Sequence, residues 1–136
     1  MLKISRKVEY ALMALKYMGG KPSGERTTAR ELCQHFQIPF DTISKVMQVM
    51  NSGQLLHSVQ GVKGGYTLCG DLKQTTFLKL HQMLEGTGKL NSCLTATGKC
   101  TLQDNCNIIS PLERVQNRVN QYLDNLTLAE LLHEDR

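Results

Sequence analysis

Between residues 55 and 68 the hydrophobic pattern changes period, and that change limits the folds open to the chain. Leu55, Leu56 and Val59 lead into Gln60-Gly61-Val62-Lys63-Gly64-Gly65, and Tyr66-Thr67-Leu68 follows. Two β-prone runs around a glycine-rich turn predict a hairpin. Before it the period is helical. Ile4, Val8, Ala11, Leu12, Leu15 and Met18 form one stripe of a first helix over 4–18, ended by Gly19-Gly20. Thr28-Ala29-Arg30-Glu31 is a capping box opening a second helix through His35. After the link Gln37-Ile38-Pro39, a third helix carries Ile43, Val46, Met47 and Met50 on one face. It stops at Asn51-Ser52-Gly53, with Gly53 suited to the left-handed C-terminal position.

Helical character resumes at Thr76 with Phe77, Leu80, Met83 and Leu84, and ends at Gly86. Residues 86–107 are polar and contain few apolar side chains, a loop length that in small domains goes with function or disorder. Ser110-Pro111-Leu112-Glu113 predicts a helix start with Ser110 as N-cap and Pro111 first in the helix. That helix carries Leu112, Val115, Val119, Tyr122, Leu123 and Leu126 at near-heptad spacing, which points to a partner helix or to packing on the chain's own domain. Thr127-Leu128-Ala129-Glu130 caps a short last helix. The expected fold is mainly α with a small β-hairpin wing. Residues 1–85 form a winged helix-turn-helix domain, 86–108 a cysteine-bearing loop, and 109–136 a dimerisation helix with the C-terminal helix.

Charge is distributed to match. Residues 1–70 hold nine Lys+Arg against four Asp+Glu, whereas residues 71–136 hold seven against eight. A basic first half predicts an anionic partner there, and helix order plus wing make double-stranded DNA the expected one. The outer face of the third helix offers Asp41, Thr42, Ser44, Lys45 and Gln48 to base edges and phosphates. Lys3, Arg6 and Lys7 at the start of the first helix, and Thr28 at the start of the second, add contacts. The wing adds Ser58, Gln60, Lys63, Gly64 and Tyr66. An apolar content of 40% argues against disorder. No apolar run approaches the roughly 20 residues of a membrane span, and no secretory cleavage pattern is visible, so a cytoplasmic location is expected. No nucleophile–base arrangement or phosphate loop appears, so neither an enzyme nor a small-molecule substrate is expected.

Five cysteines make an odd count, and a disulfide framework is not expected. Cys33 and Cys69 stand alone and read as small buried hydrophobes. Cys93-x6-Cys100-x5-Cys106 crowds three thiols into the polar loop. Zinc favours paired knuckles, which are absent, whereas three separated thiolates suit an iron–sulfur cluster completed by a non-cysteine ligand. Two other readings stay open: a cluster-free thiol redox switch, and an iron–sulfur or zinc interaction module that does not bind DNA.

Lys-Val-Glu-Tyr-Ala-Leu at 7–12, Ser-Val-Gln-Gly-Val-Lys-Gly-Gly-Tyr at 58–66, the cysteine loop and Leu-Thr-Leu-Ala-Glu-Leu at 126–131 together resemble the IscR/NsrR-type winged-helix regulators. The resemblance covers nearly the whole chain. It implies a homodimeric regulator, more often a repressor, on palindromic operators. An iron–sulfur cluster of two or four irons near the dimer interface would sense iron or cluster supply, nitric oxide or redox stress. IscR-like members place a histidine three residues after the third cysteine; here that residue is Ile109. NsrR-like members take a carboxylate from the partner's first helix, and the matching residue is Glu9. Glu9 is therefore the implied fourth ligand, with His81, Asp104 and Asn107 as fallbacks. A solvated Glu9 paired with Arg6 or Lys7 is the alternative. Many members carry arginine before Gly61, where this chain has the uncharged Gln60, and the first cysteine gap of six is slightly unusual.

Overall fold

The computed structural model describes residues 4–86 and 105–133. Helix α1 runs Arg6–Gly19, α2 Ala29–Phe36 and α3 Phe40–Ser52. Strands β1 (Leu56–Val59) and β2 (Gly65–Leu68) follow, then α4 (Phe77–Glu85), α5 (Ile109–Asp124) and α6 (Leu128–Leu132). Local chemistry explains most of these limits. Ser5, Thr28, Thr76 and Thr127 are N-caps whose hydroxyls accept from the N–H three residues on. Ile4, expected in the first stripe, instead precedes α1 and is exposed, because Ser5 starts the helix.

Two termini differ from expectation. Gly53 is not left-handed (φ −81); Gln54 takes that conformation at φ 66. An added Cβ at 53 would come within 2.4 Å of the end of the Met83 side chain of α4, which would have to swing aside. Ser110 is not the N-cap of α5. Ile108 takes that position at φ −115, ψ 4 without a side-chain cap, so Ser110 and Pro111 lie inside the first turn, where a missing N–H costs no helical bond.

The strands pair antiparallel, with Leu56 opposite Leu68 and Val59 opposite Gly65. Thr27 adds a third edge, exchanging backbone bonds with Tyr66 of 2.9 and 2.8 Å. Gly65 permits that approach: a Cβ there would lie 3.1 Å from the Thr27 carbonyl oxygen, and its φ is +148. The Cys69 and Gly70 N–H groups both donate to Leu55 O, so the ladder ends as in a bulge. That turn puts Cys69 outside, its thiol 3.4 Å from Gln54 O, and the expectation of a buried Cys69 is incorrect. Cys33 is half-buried against the core.

Ala11, Ala14 and Leu15 of α1 meet Leu32 of α2 and Ile43, Met47 and Met50 of α3, all fully or almost fully buried. Each large apolar side chain enclosed in this way stabilises the fold by roughly 1.5–3 kcal/mol. Helix α6 belongs to the same core through Leu128. Backbone bonds hold it there: Phe77 N–H to Leu126 O, Leu128 N–H to Thr75 O and Ala129 N–H to Leu72 O, at 2.8–2.9 Å. The last helix is thus stitched to the segment before α4 rather than set apart. Helix α4 packs on α1, α3 and α5 and so connects α3 to the long C-terminal helix.

Candidate nucleic-acid interface

Helix α3 buries Ile43, Val46, Met47 and Met50 and so turns its other face outward. Asp41, Lys45 and Gln48 are exposed, and Thr42 and Ser44 half-buried. A groove of about 620 Å³ runs along this face. Lys7 of α1 and Leu84 of α4 line it together with Asp41, Thr42, Lys45 and Gln48. The structure thus brings Lys7 beside the third-helix residues, and adds Val49, Ser52 and Leu84, which sequence reasoning missed. Arg6 is exposed and ion-paired with Glu9 at 3.2 Å. Lys3 lies outside the described residues.

The N-terminus of α3 carries two further residues that the sequence did not mark. Pro39, the N-cap, offers no side-chain hydrogen bond to the first-turn N–H groups, and Asp41 is the acidic residue of that turn. Phe40 is exposed beneath the Arg30 guanidinium, 5.9 Å from its ring centroid.

On the wing, Gln60, Val62 and Lys63 are exposed at the turn. Gly64 cannot be replaced freely, since a Cβ would meet Val59 O at 2.5 Å and Gly61 O at 2.8 Å. Arg26 donates to the Lys63 carbonyl oxygen and so ties the turn to the segment before α2. Nothing in the motif marked Arg26; its role depends on the Thr27–Tyr66 pairing. Three expected contacts have structural duties. Thr28 accepts from Glu31 N–H at 2.9 Å, Ser58 N–H donates to Asn51 Oδ1 at 3.1 Å, and Tyr66 packs partly into the core.

Behind the wing, Lys21 Nζ donates to Glu31 Oε2 at 2.5 Å and to Arg26 O at 3.1 Å. The Tyr17 hydroxyl donates to the same Glu31 oxygen at 2.5 Å. Burial works to raise the Glu31 pKa, but the Lys21 and Tyr17 hydrogen bonds and the Lys21 charge outweigh it, and the carboxyl is held below its ordinary value. The Tyr17 phenol is pushed up, chiefly by its hydrogen bond to Glu31.

Cys93, Cys100 and Asp104 lie outside the described residues. Cys106 is half-buried just ahead of α5. Glu9 is partly exposed, His81 half-buried in α4, and Asn107 exposed. Among the described residues no group of three or more His, Cys, Asp or Glu side chains is placed to hold a metal.

Helix α5 has an uncovered apolar side. Gln116 is its buried residue, bonded to Asn120 Oδ1 at 2.9 Å, while Val115 (48%), Tyr122 (68%) and, at the N-cap, Ile108 (51%) are exposed. Beside them Leu12, Phe77, Val119, Tyr122 and Leu126 line an apolar groove of about 610 Å³. Among the described residues no helix is long and apolar enough to cross a membrane.

Known proteins share this architecture. The NsrR transcriptional regulator of Oceanobacillus iheyensis is 22% identical over 135 residues, 98% of this chain and 92% of that protein. The structure of CymR, the global cysteine regulator of B. subtilis, superposes with a TM-score of 0.70 at 23% identity, covering 97% of each chain. The IscR structure from T. potens gives a TM-score of 0.63 at 22% identity, over 96% of this chain and 85% of that one. These likenesses bear out the mainly helical winged-helix fold with its two-stranded hairpin. The family model described as an iron-dependent transcriptional regulator matches residues 4–134, and the chain accordingly belongs to the Rrf2 family of transcriptional regulators.

Proposed function

We propose that the protein is a homodimeric repressor whose hold on a palindromic operator is controlled by an iron–sulfur cluster. The observation that carries the DNA-binding part is the groove joining Lys7 to Asp41, Lys45 and Gln48, with the Lys63 wing as a second arm. Lysines from two helices grip phosphate, the polar α3 residues address base edges, and the wing follows the adjacent backbone. Dimerisation is supported by the apolar side chains of α5 left outside the monomer. Two copies would set their reading helices about 34 Å apart, matching one turn of duplex.

The donor set for the cluster is Cys93, Cys100 and Cys106, with Glu9 from the partner subunit as the fourth ligand. Three thiolates and a carboxylate suit iron chemically, and the partly exposed Glu9 side chain is reachable from outside its own subunit. A bound cluster supplies a group whose assembly and loss report iron and redox conditions. The chain's own contribution is mechanical. Cys106 stands three residues ahead of α5, α5 packs on α4, and α4 packs on α3. A shift of the cysteine loop therefore has a packed route to the reading helix.

Anaerobic reconstitution with iron and sulfide tests the cluster. The protein should turn brown and hold acid-labile sulfide, and Cys100→Ala should lose both. Glu9→Ala should shorten the cluster's lifetime while the apo dimer persists. A colourless protein lacking sulfide would leave the thiol-switch reading, which predicts disulfide formation without iron.

A further inference from the structure

Phe40 is the first residue of α3, 45% exposed and outside the core. One exposed apolar side chain is ordinary on a protein surface; its position is what gives this one meaning. The first turn of a helix favours proline or acidic residues, so helix formation does not call for phenylalanine here. Burial does not call for it either. The ring instead lies under the exposed Arg30 guanidinium of α2, 5.9 Å away, which restricts how it can turn. Its immediate neighbours Asp41 and Thr42 line the groove on the outer face of α3. The ring is thus at the end of the helix whose residues meet base edges when such a helix enters a major groove.

The major-groove edges of the four bases offer donors and acceptors, and a single apolar group, the thymine 5-methyl. We infer that Phe40, oriented by Arg30, packs on a thymine methyl in each operator half-site and is a specificity-determining residue. The charged Arg30 above the ring leaves its remaining N–H groups for the neighbouring phosphate. This rests on the reading of α3 as the recognition helix.

The test uses the full chain and a duplex enriched by it from a random-sequence pool. Single thymines of that duplex are replaced by deoxyuridine, which removes the methyl and keeps the base pair. At one position per half-site the wild-type protein should bind about three- to fivefold more weakly. Phe40→Ala should bind the parent duplex more weakly by a similar factor and be indifferent to uridine there, with an unchanged salt slope, because no phosphate contact is lost. Phe40→Leu should keep part of the discrimination. Wild-type indifference to every uridine replacement overturns the inference, and so does undiminished discrimination by Phe40→Ala. Those failures stand apart from failure of the underlying reading. If no duplex is enriched, or if Lys45→Ala and Gln48→Ala bind the enriched duplex as tightly as wild type, α3 is not the reading helix and both fall.

Discussion

Lys21 Nζ lies 2.5 Å from Glu31 Oε2, and it is the lysine that is nearly enclosed, at 16% side-chain exposure against 35% for the glutamate. A buried ammonium needs its counter-ion, so this pair holds the end of α1 against α2 and, through Arg26 O, the edge of the wing. The Glu31 pKa is lowered on folding. Its contribution is therefore fully present above about pH 4.3, the ordinary glutamate value, and is lost as pH falls through the lowered folded value. Glu31→Gln should cost about 1–2 kcal/mol at pH 7, and the gap to wild type should close below about pH 4. Thermal melts across this range check it; a pH-independent gap would contradict the account.

The glycines at 53 and 64 make a paired test. Alanine at 64 meets backbone oxygens at 2.5 and 2.8 Å, which cannot swing away. Gly64→Ala should destabilise by about 1–3 kcal/mol and weaken DNA binding through a displaced Lys63. Alanine at 53 meets the flexible Met83 side chain, chiefly its Sδ and Cε at 2.4 Å, at ordinary negative φ. Gly53→Ala should cost less than about 1 kcal/mol. Calorimetry on both variants gives the order, and the reverse order would contradict the close approaches described.

Thr27 is fully buried at the wing edge, and its Oγ1 has no hydrogen-bond partner. A partnerless hydroxyl is a cost, and valine has nearly the same shape. Thr27→Val should match or exceed wild-type stability by up to about 1 kcal/mol, whereas Thr27→Ser, which opens a methyl-sized void, should lose about 1 kcal/mol. A clear loss of stability in Thr27→Val, read by denaturant midpoint, would show that the hydroxyl is bonded.

Helix α5 separates surface from core. Val115→Glu and Tyr122→Glu put charge on its uncovered side and should convert the proposed dimer to a monomer of unchanged helicity, as read by sedimentation and circular dichroism. Leu128→Ala removes a fully buried side chain and should cost about 2–5 kcal/mol. A Val115→Glu protein that sediments as a dimer would move the interface elsewhere.

The helical stripes, the wing and the caps at Thr28 and Thr127 were legible because each is a local pattern: a 3.6-residue period, a glycine-rich turn, a Thr whose hydroxyl accepts from the N–H three residues on. The groove was half legible. The outward face of α3 follows from its buried Ile43 and Met47, but the presence of Lys7 and Leu84 beside it depends on how α1 and α4 pack. Where the reading of individual residues failed, a nearby backbone choice decided the matter. Gln54 took the left-handed position assigned to Gly53, Ile108 took the cap assigned to Ser110, and two N–H groups sharing Leu55 O turned Cys69 outward. Phe40 and Arg26 carry no motif, and only the fold reveals what lies beside them.

The central claim is that one packed unit reads DNA and answers to a cluster. The direct measurement is the affinity of the anaerobically loaded and the cluster-free protein for the same enriched duplex, across a range of salt. The account predicts a dimer with salt-dependent binding, at least about tenfold difference between the two forms, and a shallower salt slope in Lys45→Ala and Lys63→Ala. Equal affinity of the loaded and cluster-free forms would contradict it.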